Sequence, residues 1–335
     1  MRRGIPRGMP LFFCADKFVS FRFFCLLCTQ KTSINKEMKS FRIIILSVVS
    51  AFLVSCGTTN TVPITGRQQS LMVSDGDILS LSTQQYSEFM KTAKLSTNAA
   101  NTAMVQRVGQ NLATAVTNYL RAAGLQNDLQ YYKWQFNLVQ SKEVNAWCMP
   151  GGLICVYEGI LPVTQDEASL AIVLGHEIAH AVARHSAEQM STQMKQQYGV
   201  QGLGALASIL GVGNNAVAIG QAVATQGLNF ANLKYSRNHE NEADHMGLIF
   251  AAMAGYDPRV AVNFWQRMAS QSKNQTAEFL SDHPSDATRV KNIQGWMPEA
   301  LKYYKPSQAS TKTATTTTKK TTTTKKLTTT KKTKK

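Results

Sequence analysis

The sequence predicts an α+β fold: a mostly helical domain with a small β-sheet beside one central helix. Three observations carry this. Long stretches repeat apolar residues at spacings of three and four, the period of a helix with one buried face. Two short runs, Trp134–Leu138 and Leu153–Tyr157, have the alternating or continuous apolar patterns of strands. An apolar run from Ala168 to Ala183 is helix-forming throughout, yet carries His176, Glu177 and His180 in its middle.

The first 56 residues read as a leader. Met38 to Cys56 has a basic start, a short apolar core and small residues at its end, as a signal peptide does, so 38–55 is the cleaved segment. The core is too short to span a bilayer comfortably. Leu53-Val54-Ser55-Cys56 resembles the lipobox of bacterial lipoproteins, which implies cleavage before Cys56 and a diacylglycerol on its sulfur. Further acylation of the new amino end supplies the second chain that stable anchoring needs. Residues 1–37 precede a complete signal and are read as a gene-start artefact or an extended leader. The polar residues 56–69 are read as a tether, followed by a domain over 70–305 and a Thr/Lys-rich tail over 306–335. The tail has Leu327 as its one large apolar residue and is expected to be disordered. No Asp follows Cys56, which by analogy favours the outer membrane.

Charge is confined to the appendages. The formal charge of +16 suggests a nucleic-acid binder until it is located. The tail holds nine lysines and no acid, residues 1–37 a net +5, and 38–56 two further cations, which leaves 57–305 neutral. No nucleic-acid partner is expected.

Within the domain, Ser74-Asp-Gly-Asp caps a first helix running to Met90, and Ser96-Thr-Asn starts a second. Met104, Val108, Leu112, Val116 and Tyr119 form its buried stripe. Trp134, Phe136 and Leu138 alternate as a strand. Residues 144–149 and 153–157 flank Pro150-Gly151-Gly152 as a hairpin. Cys148 and Cys155 flank that turn, and facing each other they would form a disulfide in an oxidising compartment; the alternative is two small buried thiols. Thr164-Gln-Asp-Glu167 reads as a capping box opening the central helix. Residues 199–229, rich in Gly, Ala and Val, read as a helical hairpin packed on the domain, with a lid or membrane-dipping element as the alternative. Ser236 opens another helix, Gly255 stops it, and Asp257-Pro258 starts the next.

The central helix carries the chemistry. His176 and His180 are one turn apart, separated by roughly 40° around the axis, so both imidazoles reach one ion from one face. Glu177 projects beside them, within reach of a water proton. This is the H-E-x-x-H arrangement of zinc peptidases. His185 falls about half a turn off the face and is left out. A zinc site needs a third ligand. Ala183 and Ser186 stand where a metzincin has Gly and His, so the ligand comes from further along the chain. Glu240 and Asp244 lie one turn apart on a common face, which suits Glu240 as ligand and Asp244 as the carboxylate that orients a bound imidazole. Glu242 points the other way and reads as solvated or salt-bridged. His239 and His245 are off the face.

His176-Glu-Ile-Ala-His180, Glu240-Asn-Glu-Ala-Asp244, Val144-Asn-Ala-Trp-Cys-Met-Pro-Gly-Gly152 and His283-Pro-Ser-Asp-Ala-Thr-Arg289 together resemble the HtpX and CAAX-prenyl-endopeptidase family of gluzincins over 70–297. The likeness is to its bacterial lipoprotein and periplasmic branch, LoiP-like and BepA-like. Trp147-Cys148 depart from the Phe and small or aliphatic residue usual there. The resemblance implies a zincin domain with one Zn2+ held by His176, His180 and Glu240. It implies Glu177 as general base and then acid. The strand around Asn145 and Ala146 would pair with extended substrate, and Arg289 would donate to an oxyanion or substrate carbonyl. By the same likeness His283 is either a latch on the ion's open position or a transition-state donor; otherwise it is a turn residue capping the helix after Pro284. The function implied is a lipid-anchored zinc endopeptidase acting on unfolded or misassembled proteins at the periplasmic face of the outer membrane. A chaperone-like assembly factor that works mainly by binding is the reading from another class.

Overall fold

The computed structural model describes residues 58–201, 229–271, 283 and 287–306. The leader, its signal peptide, Cys56, most of the small-residue stretch (202–228) and the tail from 307 lie outside these residues.

The described chain opens with structure where a tether was expected. Strands β1 (Thr58–Thr61) and β2 (Gln68–Leu71) pair antiparallel, Thr58 opposite Leu71. The turn between them is closed by the Val62 amide donating to the Arg67 carbonyl at 2.8 Å, and Val62 is fully buried. The tether reading took Thr and Asn as merely polar. Threonine is β-branched and suits a paired strand, and Gln69 and Leu71 alternate inward from Gln68 and Ser70.

Helix α1 (Asp75–Thr92) starts at Ser74, whose side chain accepts from the Asp77 amide, and buries Ile78, Ser82 and Tyr86, each one turn apart. Helix α2 (Ala99–Ala122), capped by Asn98, buries Val105, Val108, Leu112, Val116 and Leu120. The stripe is centred as expected, with Met104 and Tyr119 at its partly buried margins.

The three-stranded sheet has the order β3 (Gln135–Val139), β5 (Leu153–Tyr157), β4 (Ala146–Met149), with β3 parallel and β4 antiparallel to the central β5. The hairpin is as expected, but its strand begins at Ala146. Its register separates the two cysteines: Cys148 lies opposite Ile154, and Cys155 opposite Trp147. Neighbouring register positions point to opposite faces. Cys148 accordingly joins the main core, and Cys155 the smaller cluster with Trp147, Met149 and Tyr86. Of the two readings of this pair, the disulfide is therefore corrected and the alternative stands: both thiols are free and buried.

Helix α3 (Glu167–Val182) runs through the centre and is buried almost all round. Its cap is Asp166, accepting from the Ser169 amide at 2.6 Å. The capping box at Thr164 is thus corrected by two residues, because Leu161–Thr164 forms its own helical turn. The chain breaks at Ala183 and Arg184, Arg184 taking φ 54°, and α4 (His185–Gln201) leaves in a new direction. Helix α5 (Arg237–Met253), capped by Ser236, ends before Gly255; α6 (Val260–Gln271) and α7 (Ala287–Tyr303) follow.

What sets the site is the crossing of α3 and α5. They touch at Gly175 and Gly247: a Cβ on Gly175 would lie 2.7 Å from the Gly247 carbonyl oxygen, and one on Gly247 2.6 Å from the His176 nitrogen. Only hydrogen fits there, so the backbones meet and the residues next to the contact face each other. Around it Phe250, Phe264 and Trp265 are fully buried, each worth roughly 1.5–3 kcal/mol of transfer free energy. Among the described residues no helix is long and apolar enough to cross a membrane.

Candidate metal centre

At the crossing, His176, His180, Glu240 and His283 bring one nitrogen or oxygen each within 4.8 Å of one another, and all four are buried. The Nε2 atoms of His176 and His180 are 3.0 Å apart. Glu240 lies 3.4 Å from each of them, Oε2 toward His176 and Oε1 toward His180. His283 Nδ1 is 3.1 Å from His176 Nε2 and 3.0 Å from Glu240 Oε1. The corners of a tetrahedral zinc shell, with bonds of about 2.0–2.1 Å, lie about 3.3 Å apart. The distances within the cluster, 3.0–3.4 Å, are close to that spacing.

The protonation pattern says what fits between them. His176 Nδ1 is 2.9 Å from Asp244 Oδ1, which can only accept when ionised. That puts a proton on Nδ1, so that in the neutral ring the lone pair is on Nε2. The Nε2 of His180 also points into the cluster. Two imidazole nitrogens and a carboxylate meeting at such distances need a cation between them: a proton on His176 while that ring is charged, or a metal ion when both rings are neutral, so the donor set suits a divalent metal.

Burial and neighbours move the ionisable groups in the metal-free cluster. Burial depresses His176, but Asp244 and Glu240 outweigh it and bring it up to about 9. Burial holds His180 well below the usual imidazole range, helped by His176 and His185. Burial would raise Glu240, yet His283, His176 and His180 keep it well below the carboxylate range. Burial pushes the Glu177 carboxyl up, against His283 and His176.

Glu177 Oε1 is buried, has no hydrogen-bond partner and lies 3.7 Å from His283 Nε2. The carboxylate receives the main-chain N–H of Cys148. Strand β4 is an edge strand among the described residues, and Tyr157 N donates to the Asn145 carbonyl. By the alternation of an antiparallel ladder, the backbone groups of Ala146 and Cys148 then point away from β5, toward the centre. Asn145 and Ala146 are buried, and the Ala146 N–H is taken by Asn145 Oδ1 at 2.8 Å.

Arg289 is not where a donor to substrate belongs. It lies behind His176, with Nη2 2.6 Å from Asp244 Oδ1, Nη1 donating to the His283 carbonyl at 3.2 Å, and its guanidinium 3.4 Å from the centroid of Trp265. With 4% of its surface exposed, it braces Asp244 and the His283 backbone. The expectation of an oxyanion donor is corrected to that of a positioning group.

Two residues were missed from sequence. His185, set aside as off the face, places Nδ1 2.8 Å from His180 Nδ1, because the break at Arg184 swings it back. Tyr235 stacks on His180 at 4.1 Å between centroids and hydrogen-bonds Ser186 at 2.9 Å. Its position next to the Ser236 cap was the available signal. His239 pairs with Glu188 and stacks on His185 at 4.5 Å between centroids, and His245 pairs with Glu299; neither is among the four convergent residues. Glu242 is salt-bridged, to Arg67.

A profile of Peptidase family M48 matches residues 99–297, more than half of the chain and every residue of the centre. The chain belongs to peptidase family M48. M48 relatives include the mitochondrial metalloendopeptidase OMA1 of Schizosaccharomyces pombe, 36% identical over 171 residues, covering 50% of this chain and 48% of the relative. The metalloendopeptidase OMA1 of Bos taurus is 30% identical over 249 residues, 72% of this chain and 46% of its own. A beta-barrel assembly-enhancing protease of Yersinia pestis is 30% identical over 169 residues, 48% of this chain and 34% of its own. The chain spans about half the length, or less, of these curated relatives.

Proposed function

We propose that this M48 chain is a zinc-dependent endopeptidase that cleaves unfolded or misassembled polypeptides in a bacterial cell envelope. The observation that carries the reading is the convergence of His176 Nε2, His180 Nε2 and the Glu240 carboxylate, one oxygen toward each histidine, at 3.0–3.4 Å. Those three residues would hold the ion. The chemistry it supplies when bound is Lewis-acid polarisation of water and of a carbonyl oxygen.

The chain's own residues do the rest. Asp244 holds the proton on His176 Nδ1, so that Nε2 stays a ligand. Glu177, its oxygen unpartnered and its pKa raised by burial, takes a proton from the attacking water and returns it to the leaving amine. The Cys148 N–H sets the edge of β4 alongside Glu177, and an extended peptide backbone would pair with this edge by displacing Asn145 Oδ1 from the Ala146 N–H. Backbone recognition tolerates many sequences, which fits unfolded clients. A lipid on Cys56 would hold the domain at the periplasmic face of the outer membrane.

The place of His283 Nδ1 among the four convergent atoms favours a latent form, in which this residue fills the position a substrate needs. It also keeps alive the second reading, a chaperone-like factor that acts by binding. One experiment separates them: casein cleavage by the purified chain with its zinc content measured. Cleavage should be lost with a chelator and in Glu177→Gln, and should rise in His283→Ala. A chain that carries no zinc, or a client interaction unchanged by both treatments with no cleavage, sinks the endopeptidase reading.

A further inference from the structure

We infer that Thr65 and Arg67, in the turn of the N-terminal hairpin, are positioning residues for His180: through Glu242 and His185 they fix which nitrogen of His180 carries the proton, and so set metal affinity. The inference rests on the metal-centre reading above. Residues 58–71 lie before the span matched by the family profile, and the composition of 56–69 suggested only a tether.

The chain of contacts is continuous. Thr65 Oγ1 donates to Glu242 Oε1 at 2.5 Å, and Arg67 Nε donates to Glu242 Oε2 at 2.8 Å. Arg67 also makes two parallel bonds of 2.7 Å to Glu188 on α4, which hold its guanidinium in place. Glu242 Oε2 is 3.0 Å from His185 Nε2. His185 Nδ1 is 2.8 Å from His180 Nδ1.

The tautomers follow in one direction. The Glu242 carboxylate, facing a guanidinium and a hydroxyl donor, is ionised and can only accept. His185 must then carry its proton on Nε2. In the neutral ring that leaves His185 Nδ1 as an acceptor. His180 must therefore donate from Nδ1, and its Nε2 keeps the lone pair that faces the cluster. Were the proton on Nε2 instead, His180 would turn an N–H toward the metal and could not bind it. The hairpin thus acts at the centre through two intermediaries. Removing the partners behind a metal-bound imidazole typically costs 10–100-fold in affinity.

The test is zinc affinity of the full chain by competition with a chromophoric chelator, read beside the thermal midpoint of the metal-free protein. Arg67→Ala should weaken zinc binding by about 10-fold, and His185→Ala by about 10–100-fold. His185→Gln should recover most of the loss, since an amide can accept from His180 and donate to Glu242. The absorption bands of the cobalt-substituted protein should shift in Arg67→Ala. Thr65→Val keeps the shape and removes one donor, so it serves where Arg67→Ala does not fold. A lower metal-free midpoint with wild-type affinity in Arg67→Ala and Thr65→Val would overturn the inference and leave the metal centre standing. Failure of the wild type to bind zinc would overturn both.

Discussion

The two histidines of α3 are held from behind by different means. His176 meets its carboxylate, Asp244, directly, and Asp244 meets Arg289 at 2.6 Å; the Arg289 side chain is 3% exposed. His180 meets a second imidazole first, then Glu242, then Arg67, whose side chain is 33% exposed. Both chains end in an arginine. One is sealed against Trp265 in the core. The other opens onto the N-terminal hairpin. The difference lies in what each arginine does for the fold. A buried guanidinium relies mainly on its nearest carboxylate, whereas a one-third exposed one has water as an alternative partner.

The comparison breaks most severely at Asp244. Asp244→Ala leaves Arg289 buried with its main counter-charge gone, and breaking a buried pair in this way costs about 3–5 kcal/mol. The expected result is a large fall in the thermal midpoint of the metal-free chain, with zinc binding lost as well. Asp244→Ala combined with Arg289→Met should restore much of the midpoint without restoring zinc. If the single variant melts like wild type, Arg289 does not depend on Asp244 and the two braces are alike.

A smaller effect strikes both braces together. Glu242 and Asp244 sit on the same helix, α5, and its height against α3 is fixed at Gly247. In Gly247→Ala the new Cβ would lie 2.6 Å from the His176 nitrogen, a backbone atom that cannot rotate away. Overpacking of this kind costs about 1–3 kcal/mol. Denaturant titration should find that loss, and zinc affinity should fall although no ligand or brace residue has changed. A loss of stability with unaltered affinity would mean that the braces tolerate a shift of α5.

This also explains what could be read in the sequence. The His176 side was legible because Glu240 and Asp244 repeat with the period of a single unbroken helix, which fixes their common face. The α+β architecture was legible for the same reason, since helical and strand periods are local properties. The His180 side was not. Excluding His185 assumed that α3 ran on straight, and the left-handed conformation of Arg184 ended it. Arg67 contacts Glu242 across 175 residues of sequence, a pairing that no period encodes. The Cys148–Cys155 pairing failed through register, where one residue of offset sends side chains to opposite faces.

The mildest expected effect concerns the exposed end of the His180 brace. Burial alone would raise Glu188, but hydrogen bonds from Arg67 and His239 bring it down to about 2, against 4.5 in an unstructured chain. A depressed carboxylate contributes stability that is fully present above 4.5 and disappears as pH falls through about 2. The stability of wild type over Glu188→Gln in the metal-free protein should therefore stay constant from neutral pH down to about 5, then shrink toward zero near pH 2. Denaturation curves taken at half-unit steps of pH would measure it. A difference between wild type and Glu188→Gln that does not vary with pH would place Arg67 mainly in water, and the outer end of the brace would then be an occasional contact.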